Sequence, residues 1–147
     1  MNKIAFALIS GLMASVPLSA AFAADGHQKF IDNCSGCHGE QAEGIPGMAP
    51  PLDNPAMWQK LGDKRSDYIA GVVTGGMSGK LDAKGEVFDG MVMPPQDFIE
   101  TADLVDITHY LLHDVNKLDG GPDAALIDKL KSAPKSHDEL HKLRDGG

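Results

Sequence analysis

The 147-residue chain carries 21 acidic against 13 basic side chains, a formal net charge of −8. That balance disfavours nucleic acid and anionic lipid as partners and suits docking to a basic protein surface. Aromatic residues amount to 5% while glycine and proline number 17 and 9, so one compact domain of this size has little bulk to fill its interior and needs a disulfide, a metal or a large cofactor.

The first segment reads as an export signal. Lys3 supplies a positive start, Ile4 to Leu18 form an apolar run, and Ala21 and Ala23 flank Phe22 in the small-x-small pattern of a cleavage site. The expected cut follows Ala23, with Ala24 as the alternative. The apolar run is shorter than the roughly 20 residues that span a bilayer, and nothing later in the chain is longer, so no membrane anchor is expected. Residues 1–23 contain one charge, Lys3, and their removal leaves the remainder more acidic still.

Residues 25–37 are expected to form the first helix, and they run into Cys34-Ser35-Gly36-Cys37-His38. C-x-x-C-H is the attachment signature of c-type haem. Two thiols three positions apart can each bond one vinyl group of the porphyrin, and the adjacent imidazole then reaches the iron as proximal ligand. Small Ser35 and Gly36 let the backbone pass close to the ring edge. A structural zinc site would need a second ligand pair, and the chain has no further cysteine. A thioredoxin-like motif would follow a buried strand, whereas residues 26–33 are polar and helical in pattern. A disulfide closing so short a loop stabilises little.

A Gly/Pro loop is expected to about residue 54, then a short helix over 55–61. Asp63 is expected to cap a helix over 64–74, with Tyr68, Ile69, Val72 and Val73 turned inward. Residues 75–100 read as turns and extended loop. Within them, Met93 precedes Pro94-Pro95, whose fixed φ angles stiffen the loop and suit a sulfur held on a metal. Met91, two residues earlier and on the same side of an extended segment, is the competitor. Met48, Met57 and Met77 read as gap-filling side chains. Thr101 is expected to cap the next helix, with Asp103 in its first turn and Leu104, Val105, Ile107, Thr108, Leu111 and Leu112 on or near the core. His109 and His113 stand four apart, but position 109 should face solvent, which weakens a bis-histidine ligand set; His27 is also expected to be exposed.

Past Asn116 the pattern changes. Gly120-Gly121-Pro122 breaks the chain, and residues 123–131 read as a weak amphipathic helix with Leu126, Ile127 and Leu130. After Pro134, Ser136-His137-Asp138-Glu139 is a capping box opening a short helix with Leu140 and Leu143. His137 and His141 read as part of a solvated face, without a role.

Taken together, these motifs resemble the class I cytochrome c family, especially the small domains that accept electrons from dehydrogenases. His38 to Leu52 is similar to that family's loop after the haem motif, and Gly90-Met91-Val92-Met93-Pro94-Pro95 to its distal-ligand loop. Gly26 and Phe30 stand eight and four residues before Cys34, and Ile107 and Tyr110 three apart, where the family places its helix-crossing residues. The resemblance covers residues 24–116. It implies an all-α class I cytochrome c fold, with few helices wrapped around one covalent haem. Residues 117–147 then form a C-terminal extension, weakly helical or partly disordered. It also implies Cys34 and Cys37 as covalent anchors, with His38 and Met93 as iron ligands. The Pro50 carbonyl would take the other N–H of His38, and Trp58 would donate its indole N–H to a haem propionate or else lie buried without that role.

The function implied is a periplasmic carrier of one electron, not itself an enzyme. A dehydrogenase is its expected donor and an oxidase or another cytochrome its acceptor. The alternative is a haem-based sensor or small-ligand-binding protein whose methionine can be displaced.

Overall fold

A computed structural model describes residues 18–146. Most of the expected export signal, residues 1–17, lies outside the described residues. The chain runs through α1 (Leu18–Asn33), α2 (Ser35–His38), α3 (Pro55–Lys60), a 3₁₀ turn (Gly62–Lys64), α4 (Arg65–Gly75) and α5 (Thr101–His109). It continues into a π-helical turn (Tyr110–Val115), α6 (Ala124–Ser132) and α7 (His137–Asp145). Four very short strands lie between α4 and α5: β1 (Met77–Ser78), β2 (Leu81–Ala83), β3 (Glu86–Phe88) and β4 (Val92–Met93).

The crossing of α1 and α5 frames the molecule. Gly26 sits at the contact, where an added Cβ would meet the Asp106 carbonyl oxygen at 2.5 Å and the Tyr110 Cβ at 2.9 Å. No side chain fits there without parting the helices. Phe30, fully buried, sets its ring 5.6 Å from that of Tyr110. Lys29 closes the crossing from the rim, 2.8 Å from Asp25, 2.9 Å from Asp103 and 2.5 Å from Asp106. These three carboxylates hold its ammonium well above the usual lysine range.

Several expectations are corrected here. The first helix stops at Asn33, one residue before the cysteine motif, which has its own short helix. Asp63 lies inside the 3₁₀ turn, and α4 begins after Lys64 with no side-chain cap. Thr101 is the first residue of α5, not its cap, and its hydroxyl donates instead to Asp128 of α6 at 2.5 Å. Residues 75–100 hold two small antiparallel ladders, β1 with β4 and β2 with β3. Lys84 and Gly85, both at positive φ, turn the second one.

The largest departure is the extension. Residues 117–146 form the two helices expected over 123–131 and after Ser136, but both are packed on the core where a weakly helical or partly disordered extension was expected. Ile127 and Leu130 of α6 are buried against Ala70, Val73 and Leu104. Leu140 of α7 is fully buried in the main core with Tyr68, Ile69 and Met77. Asp123 and Ser136 cap the two helices through their side chains, the latter as the capping box read from sequence.

Candidate functional site

Cys34 leaves helical geometry at the end of α1, with φ −123°, yet its N–H still donates to Phe30 at 2.8 Å and its carbonyl accepts from His38 at 3.0 Å. The Ser35 hydroxyl donates back to the Ile31 carbonyl at 2.6 Å. The motif is thus a second short helical turn hung directly on α1, ended by Gly39 at φ +78°. That turn presents Cys34, Cys37 and His38 to one cleft.

His38 is 7% exposed, and its Nδ1 lies 3.0 Å from the Pro50 carbonyl oxygen. A carbonyl only accepts, so Nδ1 carries the hydrogen and Nε2 of the neutral ring keeps its lone pair. Burial pushes the imidazole below the ordinary histidine range, which favours that neutral form. The loop bearing Pro50 is folded tightly. Leu52 and Asp53 donate to the Ala42 carbonyl at 2.8 and 3.1 Å, and a Cβ on Gly44 would lie 2.5 Å from the Pro51 nitrogen.

Other walls of the cleft come from the strands. β1 pairs with β4 so that Met77 stands across from Met93 and Ser78 across from Val92. Met77, Met91 and Met93 all line the cavity, with Val92 between the last two 65% exposed. Met77, read as a gap-filler, is buried beside the leading ligand candidate. His109, His113 and His27 are exposed and do not line the cleft.

Trp58 is a correction. It is buried, but its indole N–H donates to the Leu52 carbonyl at 2.8 Å, which leaves no hydrogen for a propionate. The Asn116 amide donates to the same carbonyl at 2.9 Å. Both side chains therefore pin the loop that carries Pro50.

Sequence reasoning missed Arg144. Among the described residues it is the only lysine or arginine lining the cleft, where it donates to the Tyr68 hydroxyl at 3.2 Å and to the Asp82 carbonyl at 2.7 Å. Helical spacing carried the signal: His137, His141 and Arg144 stand at i, i+4 and i+7, beside the core-facing Leu140.

The cleft has a cavity volume of about 180 Å³, is partly open to solvent, and its lining is mostly apolar. The two thiols are free, and burial pushes Cys34 up to about 11. A thiol–disulfide enzyme lowers its attacking thiol instead, so Cys34 is poorly suited to that attack.

The family model for cytochrome c matches residues 23–114. Among curated proteins, cytochrome c-552 of Thermus thermophilus is 32% identical over 88 residues, 60% of this chain and 54% of that protein. The cbb3-type cytochrome c oxidase subunit FixP of Rhizobium etli is 42% identical over 48 residues, covering 33% of this chain and 17% of that one. Subunit CcoP of Rhodobacter capsulatus is 34% identical over 74 residues, 50% and 24% of the two chains. The chain spans about half the length of the c-552 proteins it matches.

The site fits the group this match implies. A neutral imidazole with a bare Nε2, two free thiols on the same turn, thioether sulfurs from the strand pair and one guanidinium share a single apolar cleft. Among the described residues no three His, Cys, Asp or Glu side chains group into a site for a bare metal ion.

Proposed function

The chain belongs to the cytochrome c family, whose cofactor is covalently bound haem c, and from that premise we propose that it is a periplasmic carrier of single electrons. The observation that carries this reading is the His38–Pro50 hydrogen bond beside two free thiols, which leaves one imidazole nitrogen ready for iron. Haem supplies a reversible one-electron iron couple inside an apolar pocket.

Each residue then has a task. Cys34 and Cys37 would anchor the ring covalently at the α1–α2 corner, each thiol adding S–H across one vinyl group with no leaving group. His38 would hold the iron through Nε2, with the Pro50 carbonyl fixing its tautomer and ring plane. Met93 would supply the sixth ligand from β4, and Pro94-Pro95 stiffens the chain immediately after it. The soft sulfur raises the reduction potential relative to harder ligand sets. Arg144 with Tyr68, in place of Trp58, would meet a propionate carboxylate. Two protein ligands would leave the iron without an open position for substrate, which supports a carrier over a catalyst.

Several features support the setting. The N-terminal segment has the pattern of an export signal, and among the described residues no helix is long and apolar enough to cross a membrane. The likeness to two cbb3-type oxidase subunits supports a cytochrome or an oxidase as acceptor. A dehydrogenase as donor rests on the family resemblance of the loops.

Mutation tests the ligand assignment. Met93→Ala should abolish the methionine–iron charge-transfer band of the oxidised protein, whereas Met91→Ala should leave it. The reverse pattern would move the ligand to Met91. Avid carbon monoxide binding by the reduced wild type would favour a small-ligand sensor over a carrier.

A further inference from the structure

The β1–β4 ladder that bears Met93 has two residues on each strand. A pairing so short does not hold its own register in water. Something else must fix it. Among the described residues, the side-chain hydrogen bonds to this strand pair come from α7 alone. His141 Nε2 lies 2.8 Å from the Ser78 carbonyl oxygen, and His137 Nδ1 meets the Ser78 hydroxyl. Ser78 pairs with Val92 and follows Met77, the cross-strand partner of Met93. The imidazole of His141 lies so close to the backbone that a Cβ on Gly79 would sit 2.8 Å from its Nε2.

The helix delivering these two rings is itself anchored. Leu140 is fully buried and packs so closely on α4 that a Cβ on Gly71 would approach its Cδ2 to 2.6 Å. The Ser136–Glu139 capping box fixes where the helix begins. Towards its other end, Arg144 donates to the Asp82 carbonyl in β2.

We propose that His141, assisted by His137, is a positioning residue for the sixth ligand: α7 sets the β1–β4 register and so holds the Met93 sulfur on the iron. This rests on the reading of Met93 as that ligand. The C-terminal extension thereby acts on the redox centre, beyond any share in stability. A carbonyl acceptor needs a donor opposite it, so Gln, whose amide N–H reaches a similar distance, should replace His141, and Phe should not.

The test measures how easily added imidazole displaces the methionine from the oxidised holoprotein, followed by loss of the methionine–iron charge-transfer band. His141→Phe should raise the apparent affinity for imidazole by about three- to tenfold, the worth of one hydrogen bond. His141→Gln should return it to within about twofold of wild type, a difference below the net worth of one such bond. Ser78→Ala removes only the His137 contact and should shift the affinity the same way by less; it serves where His141→Phe fails to load haem. A His141→Phe protein that melts at lower temperature yet binds imidazole as wild type does would reduce the histidine to a structural role and overturn the proposal. So would an unchanged Ser78→Ala protein in the absence of a His141→Phe result. Met93→Ala keeps the two readings apart: if it retains the band, the ligand assignment fails, and if it loses the band while His141→Phe binds imidazole as wild type does, only the positioning role fails.

Discussion

At the scale of single residues, the chemistry is decided by which atoms are left free. His38 gives its Nδ1 hydrogen to Pro50, Trp58 gives its indole hydrogen to Leu52, and Arg144 divides its donors between Tyr68 and Asp82. Arg144 is therefore the natural counter-charge for a carboxylate in the cleft, and removing it has a definite sign. A nearby positive charge favours the reduced state, so Arg144→Ala should lower the reduction potential and Arg144→Lys should restore most of it. A unit charge about 10 Å away at an effective dielectric of about 20 is worth roughly 1–2 kcal/mol, or some tens of millivolts. Spectroelectrochemical titration of the three proteins measures it; a potential unmoved in Arg144→Ala would place the propionates elsewhere. The cysteine motif was legible because its chemistry is local, five consecutive residues with a fixed task. Arg144 was not, since the contact bringing it to Tyr68 joins positions far apart in sequence.

At the scale of elements, close approach and capping carry the argument. Gly26→Ala gains intrinsic helix propensity of about 1 kcal/mol, which alone would stabilise α1. The added carbon would instead meet the Asp106 carbonyl at 2.5 Å, so overpacking should win and destabilise the protein by about 1–3 kcal/mol. Urea unfolding checks this; a stabilised variant would mean that α1 and α5 are less closely packed. At the start of α7, the Ser136 hydroxyl and N–H hold the Glu139 carboxyl below its ordinary value of 4.5. A carboxyl depressed on folding stabilises the protein above its unfolded pKa, and that contribution is lost as pH falls through the lower folded value. The stability gap between wild type and Ser136→Ala should hence be full at neutral pH and shrink progressively below about pH 4.5. Chemical unfolding of both proteins across that range checks it, and a gap independent of pH would mean that the carboxyl contributes nothing.

The helices α3, α4 and α5, and the capping box of α7, could be read from periodicity and cap residues. The strands could not, because two or three residues are too few to show alternation. Asp63 and Thr101 each have a good capping side chain, but neighbouring geometry places one in a 3₁₀ turn and turns the other toward Asp128. His137 and His141 looked like a solvated face because only the folded chain brings Ser78 beneath them.

At the scale of the whole molecule, residues 24–116 supply the helical frame and the cysteine turn, α6 and α7 pack on α4, and α7 reaches the cleft through Arg144. The weak bulk of the interior, with 5% aromatic residues, fits a fold organised around a large bound ring. The net charge of −8 should govern encounters with partners. Its reduction or oxidation by a basic partner protein should slow as ionic strength rises, since screening shortens the reach of the attraction. Stopped-flow rates across a salt series check this, and rates rising with salt would indicate an acidic partner.

The central claim is that two sulfurs of one helical turn join this chain to a porphyrin whose iron the neighbouring imidazole binds. Intact mass spectrometry of the exported protein, under conditions that strip non-covalent groups, tests it most directly. The account predicts the polypeptide mass plus one haem, and loss of that increment when Cys34 and Cys37 are both changed to Ala. A mass equal to the polypeptide alone would contradict it.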